Sequence, residues 1–155
     1  MAEAKTIDRE LIELAKKSFA GIPETDDNHT VAAAVRTHSG NIFVALNVYH
    51  FTGGPCAELA VLGTAAAGGV LANDMNTMVA VARRPGNVFH VINPCGRCRQ
   101  VMLDYNPNIN VIVQDEAGKE TVVMARDLVP FAYIWEDGVT GRKEEEAKKV
   151  LELLQ

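Results

Sequence analysis

No stretch of the 155-residue sequence reaches the roughly 18 consecutive apolar residues that would span a bilayer as a helix, so no membrane partner is expected. Positive charge is in deficit. Lys and Arg number 15 against 20 Asp and Glu, leaving a formal charge of −5. Nucleic-acid binding rests on a basic face and is not expected here either. The opening MAEAKTIDRE is too charged for the apolar core of an export signal, which points to a cytoplasmic protein. Cysteine is scarce and odd in number, with three in all. Without an export signal, metal binding or thiol chemistry is the better expectation than a disulfide framework. Repeats and linkers are lacking too, so residues 1–155 read as one domain. At this length a chain buries roughly two-thirds of the surface its unfolded form exposes. What the chain does have is apolar substance: 48% hydrophobic against 23% charged excludes a mainly disordered polymer.

Ile7, Leu11, Leu14, Ala15, Ser18 and Phe19 recur at helical spacing. Thr6 is the expected cap, and Gly21 and Pro23 the stop. Two apolar runs, Thr30 to Val35 and Ile42 to Asn47, flank the turn-forming Thr37-His38-Ser39-Gly40-Asn41 and predict a β-hairpin. A second helix is expected from Pro55, since proline suits the first helical position. Met78 to Ala82 reads as a short buried strand that Arg83-Arg84-Pro85-Gly86-Asn87 breaks and Val88 to Ile92 resumes. Pro94 opens a third helix through Tyr105, and strands follow at Ile109 to Val113 and Thr121 to Met124. Residues 142–154 are expected to form a helical tail with a stripe of Val150, Leu151 and Leu154 beyond a core of about 6–136. The alternation predicts an α/β fold: one mixed sheet of about five strands, covered by helices on both faces.

The chemistry concentrates at two helix starts. Gly53-Gly54-Pro55-Cys56-Ala57-Glu58 opens one, and Asn93-Pro94-Cys95-Gly96-Arg97-Cys98-Arg99-Gln100 the other. Unpaired N–H groups and a partial positive charge at a helix N-terminus favour thiolate over thiol. Cys95 and Cys98 sit one helical turn apart and can reach one ion, to which Cys56 would add a third sulfur. Three protein ligands with one open position is the pattern of a catalytic zinc. Glu58, two residues past Cys56, would lie beside the open position and take up a proton. Two other readings of these residues stand beside it. One is a structural zinc with His50 or His90 as fourth ligand; the other is a redox pair at Cys-x-x-Cys.

Both motifs, together with Asn47 to Glu58, Val61 to Ala67 and Arg126 to Pro130, resemble the cytidine deaminase superfamily, whose zinc signature couples Cys-x-Glu to Pro-Cys-x-x-Cys. The nearest likeness is to its blasticidin S branch. The resemblance implies a three-layer α/β/α fold, one zinc held by Cys56, Cys95 and Cys98, a small nucleoside-type substrate and a homotetramer. It also implies hydrolytic loss of ammonia from the cytosine ring, with Glu58 delivering a proton to N3 and then to the departing amine. It further assigns substrate contacts to His29, Thr30, Asn47, Tyr133 and Trp135. Arg97 and Arg99 are the expected neutralisers of the thiolates, because Leu59 stands where the family usually carries arginine. Tyr49 stands where nucleoside deaminases carry a glutamate that grips ribose. Its neutrality suits a substrate with a carboxylate on its sugar; packing of Tyr49 as a plain aromatic is the alternative. Arg83 or Arg84 is the candidate partner for that carboxylate. Turnover of blasticidin S or a related aminoacyl-nucleoside antibiotic is therefore the leading expectation. Cytidine or deoxycytidine salvage, and a noncatalytic zinc-stabilised assembly domain, are the others.

Overall fold

A computed structural model describes residues 5–134. The expected helical tail at 142–154 and Trp135 lie outside the described residues. The first apolar stripe forms α1, Arg9–Lys17, but its cap is Asp8 rather than Thr6. The Asp8 carboxylate accepts from the Leu11 N–H at 3.0 Å and also takes the Arg36 guanidinium of the first strand, Nη2 at 3.1 Å. Two partners for one carboxylate explain why the start moves inward from Thr6.

The hairpin forms as β1, Val31–Thr37, and β2, Ile42–Leu46. Helix α2, Ala57–Ala67, strand β3, Met75–Arg84, and strand β4, Val88–Val91, follow. Helix α3, Gly96–Tyr105, then leads to β5, Asn110–Gln114, and β6, Glu120–Met124. The sheet has six strands in the order β2-β1-β3-β5-β6, with β4 also on β3. Among the described residues, only the β3–β5 pair is parallel.

The expectation of one interrupted strand across residues 78–92 is corrected here. Gly86 at φ +79° and Asn87 at φ +53° reverse the chain, so β4 folds back as a separate antiparallel strand. The ten residues of β3 then serve two neighbours on one side. Thr77 to Val79 pair with β5, and Val81 to Arg84 pair with β4.

The sheet is covered on both faces, which is why β1 is nearly continuously apolar instead of alternating. Ala32 and Ala34 face Leu11, Ile12 and Ala15 of α1. Ala33 and Val35 face the other way, into a cluster with Val61 and Ala65 of α2 and Cys98 and Met102 of α3. The three-layer α/β/α arrangement thus puts both cysteine-bearing helices on one face. Arg83, 6% exposed, is a buried charge. Its guanidinium donates to the carbonyls of Ile22 and Pro23 at 2.8 and 2.9 Å and lies 5.0 Å over the Phe19 ring, pinning the loop after α1 to the sheet.

The Arg36 guanidinium hydrogen-bonded to Asp8 holds that carboxyl below the usual carboxylate range. Stability from the pair is present above the unfolded pKa of about 3.9 and is lost as pH falls through the lower folded value. Asp8→Asn keeps a capping side chain but removes the charge. It should cost about 0.5–1 kcal/mol at pH 7 for a solvent-screened pair. In urea titrations the difference from the parent should shrink as pH falls below about 3.9 and through the lowered folded value; a difference independent of pH would show that the ion pair contributes nothing.

Candidate metal centre

Pro55 and Pro94 each precede a cysteine that caps a helix in extended backbone: Cys56 (φ −61°, ψ 157°) for α2 and Cys95 (φ −66°, ψ 167°) for α3. Cys98 lies in the first turn of α3 and is buried. The two helix starts meet, and the three Sγ atoms lie within 4.8 Å of one another, with Cys56 and Cys95 at 3.9 Å. Tetrahedral ligands on zinc–sulfur bonds of about 2.3 Å stand roughly 3.8 Å apart, so the cluster is already at coordinating dimensions.

The acid–base character of the thiols fits a cation in the same way. Burial pushes Cys98 far up, and the charge of Glu58 adds to this. Burial also raises Cys56, against the pull of the Cys98 thiol. Burial opposes ionisation of Cys95 as well, but the Cys98 N–H and the neighbouring thiols outweigh it and leave Cys95 below its ordinary value. Cys95 is the readiest of the three to ionise, and burial holds back Cys56 and Cys98. A divalent cation at the common centre would reverse that balance.

Glu58, in the first turn of α2, is 5% exposed. With Cys56, Cys95, Asn47 and Tyr49 it lines a cavity of about 240 Å³. Among the described residues, no histidine, aspartate or glutamate joins the three sulfurs within the same span. His50 is on an exposed loop, its Nδ1 2.5 Å from the Thr52 hydroxyl and its ring against Phe51. His90 pairs with Ala82 on β4. Four-ligand coordination through either histidine is therefore not the arrangement found.

The remaining predicted residues divide. Asn47 reaches the cavity wall, yet its Oδ1 accepts from the Thr30 and Val31 N–H groups, both at 2.9 Å, and its Nδ2 donates to the Asn28 carbonyl. Tyr49 also lines the cavity and is 66% exposed, so it is not packed away as a core aromatic. His29 is held by Asp26, through its backbone N–H at 2.7 Å and its Nδ1 at 3.2 Å. Thr30 lines a neighbouring cavity, with Arg84, beside the loop 24–27. Arg97 reaches the Gly54 carbonyl at 3.4 Å. Arg99 donates to the carbonyls of Pro94 and Leu128 at 2.8 and 3.3 Å. Tyr133 is exposed, and its carbonyl accepts from Gln100 at 2.9 Å. Arg83 is committed to the loop after α1 and does not line the cavity at Cys56, Glu58 and Cys95.

Sequence reasoning passed over two residues of the wall. Asn93 exchanges hydrogen bonds with both backbone atoms of Gln114, at 2.7 and 2.9 Å, and so fastens the start of α3 to β5. A polar residue between a strand end and a proline was the only available signal. Gly54 is the other, and its signal was drowned by the adjacent Gly53.

No protein-family model matches the sequence. Over 133 residues, 81% of this chain, it is 34% identical to the blasticidin-S deaminase of Bacillus cereus and covers 91% of that protein. Among solved structures, the cytidine deaminase of Burkholderia pseudomallei superposes with a TM-score of 0.65 at 30% identity, over 83% of this chain and 100% of that one. The cytidine deaminase of Bacillus anthracis superposes with a TM-score of 0.66 over 95% of this chain and 97% of that one. At 16% identity it speaks for the fold alone. With a third of its aligned residues shared across almost the whole of one such deaminase, the chain belongs to the cytidine deaminase superfamily.

Proposed function

We propose that this chain is a zinc-dependent hydrolase that removes the exocyclic amine of the cytosine ring in blasticidin S or a closely related aminoacyl-nucleoside antibiotic. The observation that carries the chemistry is the clustering of the Cys56, Cys95 and Cys98 sulfurs, with Cys56, Cys95 and the nearly buried Glu58 lining one cavity. The three cysteines would hold the zinc ion, which when bound supplies the Lewis acidity that makes water a nucleophile at neutral pH. Glu58 does the proton work. Its carboxylate accepts a proton from the attacking water and delivers it to ring N3. It then takes the proton of the new C4 hydroxyl and gives it to the amine nitrogen, and as the C4–N bond breaks the oxygen becomes the ring carbonyl and ammonia leaves. The helix N-termini behind Cys56 and Cys95 stabilise the thiolates. Arg97 and Arg99, on the same first turn as Cys98, offset the remaining negative charge through the field around the site.

Two observations support the antibiotic as substrate. One is the Bacillus cereus relative. The other is Tyr49, neutral and exposed on the cavity wall where an acid would repel a sugar carboxylate. Arg83 is withdrawn as the carboxylate partner because three backbone carbonyls occupy it; Arg84, exposed beside Thr30, keeps that role. His29, Thr30 and Tyr133 contact the substrate from outside the cavity wall, and Asn47 contacts it through the backbone it orders. Trp135 belongs to the same proposal and lies outside the described residues. A cytidine or deoxycytidine substrate is the second reading, favoured by the likeness to the Burkholderia pseudomallei enzyme. An assembly in fours, in the cytoplasm, completes the reading. An exposed apolar groove between α2 and α3, with Leu59, Leu62 and Val101 on its walls, supports subunit packing.

Glu58→Gln should keep one zinc per chain by elemental analysis while turnover falls about 10²–10⁴-fold; an active, zinc-loaded variant would remove Glu58 from the proton path. The loss of cytosine absorbance with purified zinc protein compares the substrates directly. Blasticidin S should be turned over with at least tenfold higher kcat/KM than cytidine. The reverse order would establish the salvage reading.

A further inference from the structure

The geometry points to Gly54 as a positioning residue of the metal centre: the missing side chain at this one place sets where the Cys56 sulfur stands relative to Cys95 and Cys98. The inference rests on the zinc reading of the site. A Cβ built on Gly54 would come within 1.6 Å of the Val48 carbonyl oxygen and 2.8 Å of its carbon. Both are backbone atoms, so no rotamer change relieves the overlap.

Nor can Val48 withdraw. On one side of it the Asn47 N–H donates to Val31, and on the other the Tyr49 N–H donates to Asn28, at 2.9 and 3.2 Å. The Asn47 side chain bridges the same segment. Val48 itself donates to the Pro55 carbonyl at 3.1 Å. A side chain at position 54 would therefore drive Gly54-Pro55-Cys56 away from the wall formed by Val48 and Tyr49. Cys56 is next but one in the chain, and its sulfur already stands 3.9 Å from that of Cys95. Metal sites tolerate displacements of only about 0.5 Å before affinity suffers.

Arg97 reinforces the arrangement from the other motif. It lies between Cys95 and Cys98, and its guanidinium donates to the Gly54 carbonyl at 3.4 Å, so the two cysteine segments are tied through this glycine. Gly53 does a different job. It sits at φ +90°, and a Cβ there meets nothing within 4 Å. The first glycine of the pair is required by backbone conformation and the second by space.

The pair supplies its own control. Zinc affinity is measured on full-length protein by competition with a chromogenic chelator, beside the ligand-field spectrum of the cobalt(II) form and the melting temperature of the metal-free form. Gly54→Ala should lose zinc affinity at least tenfold and change the cobalt spectrum. Gly53→Ala strains the same loop without pushing on Val48, so it should lower the melting temperature while holding zinc within threefold of the parent. If Gly54→Ala does not fold, Arg97→Lys, which keeps the positive charge but loses the guanidinium fork that reaches the Gly54 carbonyl, stands in and should lose zinc roughly tenfold. Parental zinc affinity in Gly54→Ala (or in Arg97→Lys where that variant stands in), or an equal loss in Gly53→Ala, would overturn the inference. A parent protein that takes up no zinc would overturn the functional reading and this inference together.

Discussion

Three sulfurs and a carboxylate meet at two helix starts, with Cys98 and Glu58 buried and Cys95 open to solvent, and the electrostatic cost of ionising them together is the constraint that organises the rest. Burial raises the Cys56 and Cys98 thiols above their ordinary values, and the charge of Glu58 adds to the rise. A compact fold brings such groups together only if something repays the electrostatic cost. Two devices are visible: helix N-termini aimed at Cys56 and Cys95, and coordinating dimensions that suit a divalent cation. The layered architecture follows this need, because α2 and α3 must lie on one face of the sheet, side by side, for their first turns to meet.

Several polar side chains near the site serve as staples. Asn47 joins the backbone at residues 28, 30 and 31; Asn93 joins α3 to β5; Arg83 holds the loop after α1; Arg99 ties the start of α3 to Leu128. Each replaces backbone pairing where the chain leaves regular structure, and each thereby fixes a segment of the cavity or its rim. The hold on the three-cysteine cluster is in this sense distributed: amides and guanidinia some residues away fasten the segments that carry the cysteines.

How much of this was legible in the sequence depended on range. The helix starts were readable to within two residues: Pro55 and Pro94 mark them, but each proline stands before the capping cysteine and not at the first helical position, and the helices begin at Ala57 and Gly96. The grouping of the three cysteines was readable because two such starts, one with Cys-x-Glu and one with Cys-x-x-Cys, together match one described signature. The separate strand β4 was missed because Pro85-Gly86-Asn87 marks a break without saying whether the chain continues or turns back; that is decided by pairing between Val81 and Val91. The roles of Arg83 and Asn47 were illegible for a related reason. Their partners lie some 60 and 16–19 residues away, and nothing local distinguishes an arginine that binds a ligand from one that binds three carbonyls. Asp8 displaced Thr6 as a cap through Arg36, again a distant partner.

X-ray absorption at the zinc edge of the purified protein tests the central claim most directly. Three sulfur atoms at about 2.3 Å and one lighter atom in the fourth position are expected. A coordination sphere filled by four protein ligands, or protein that is fully active without stoichiometric zinc, would contradict it.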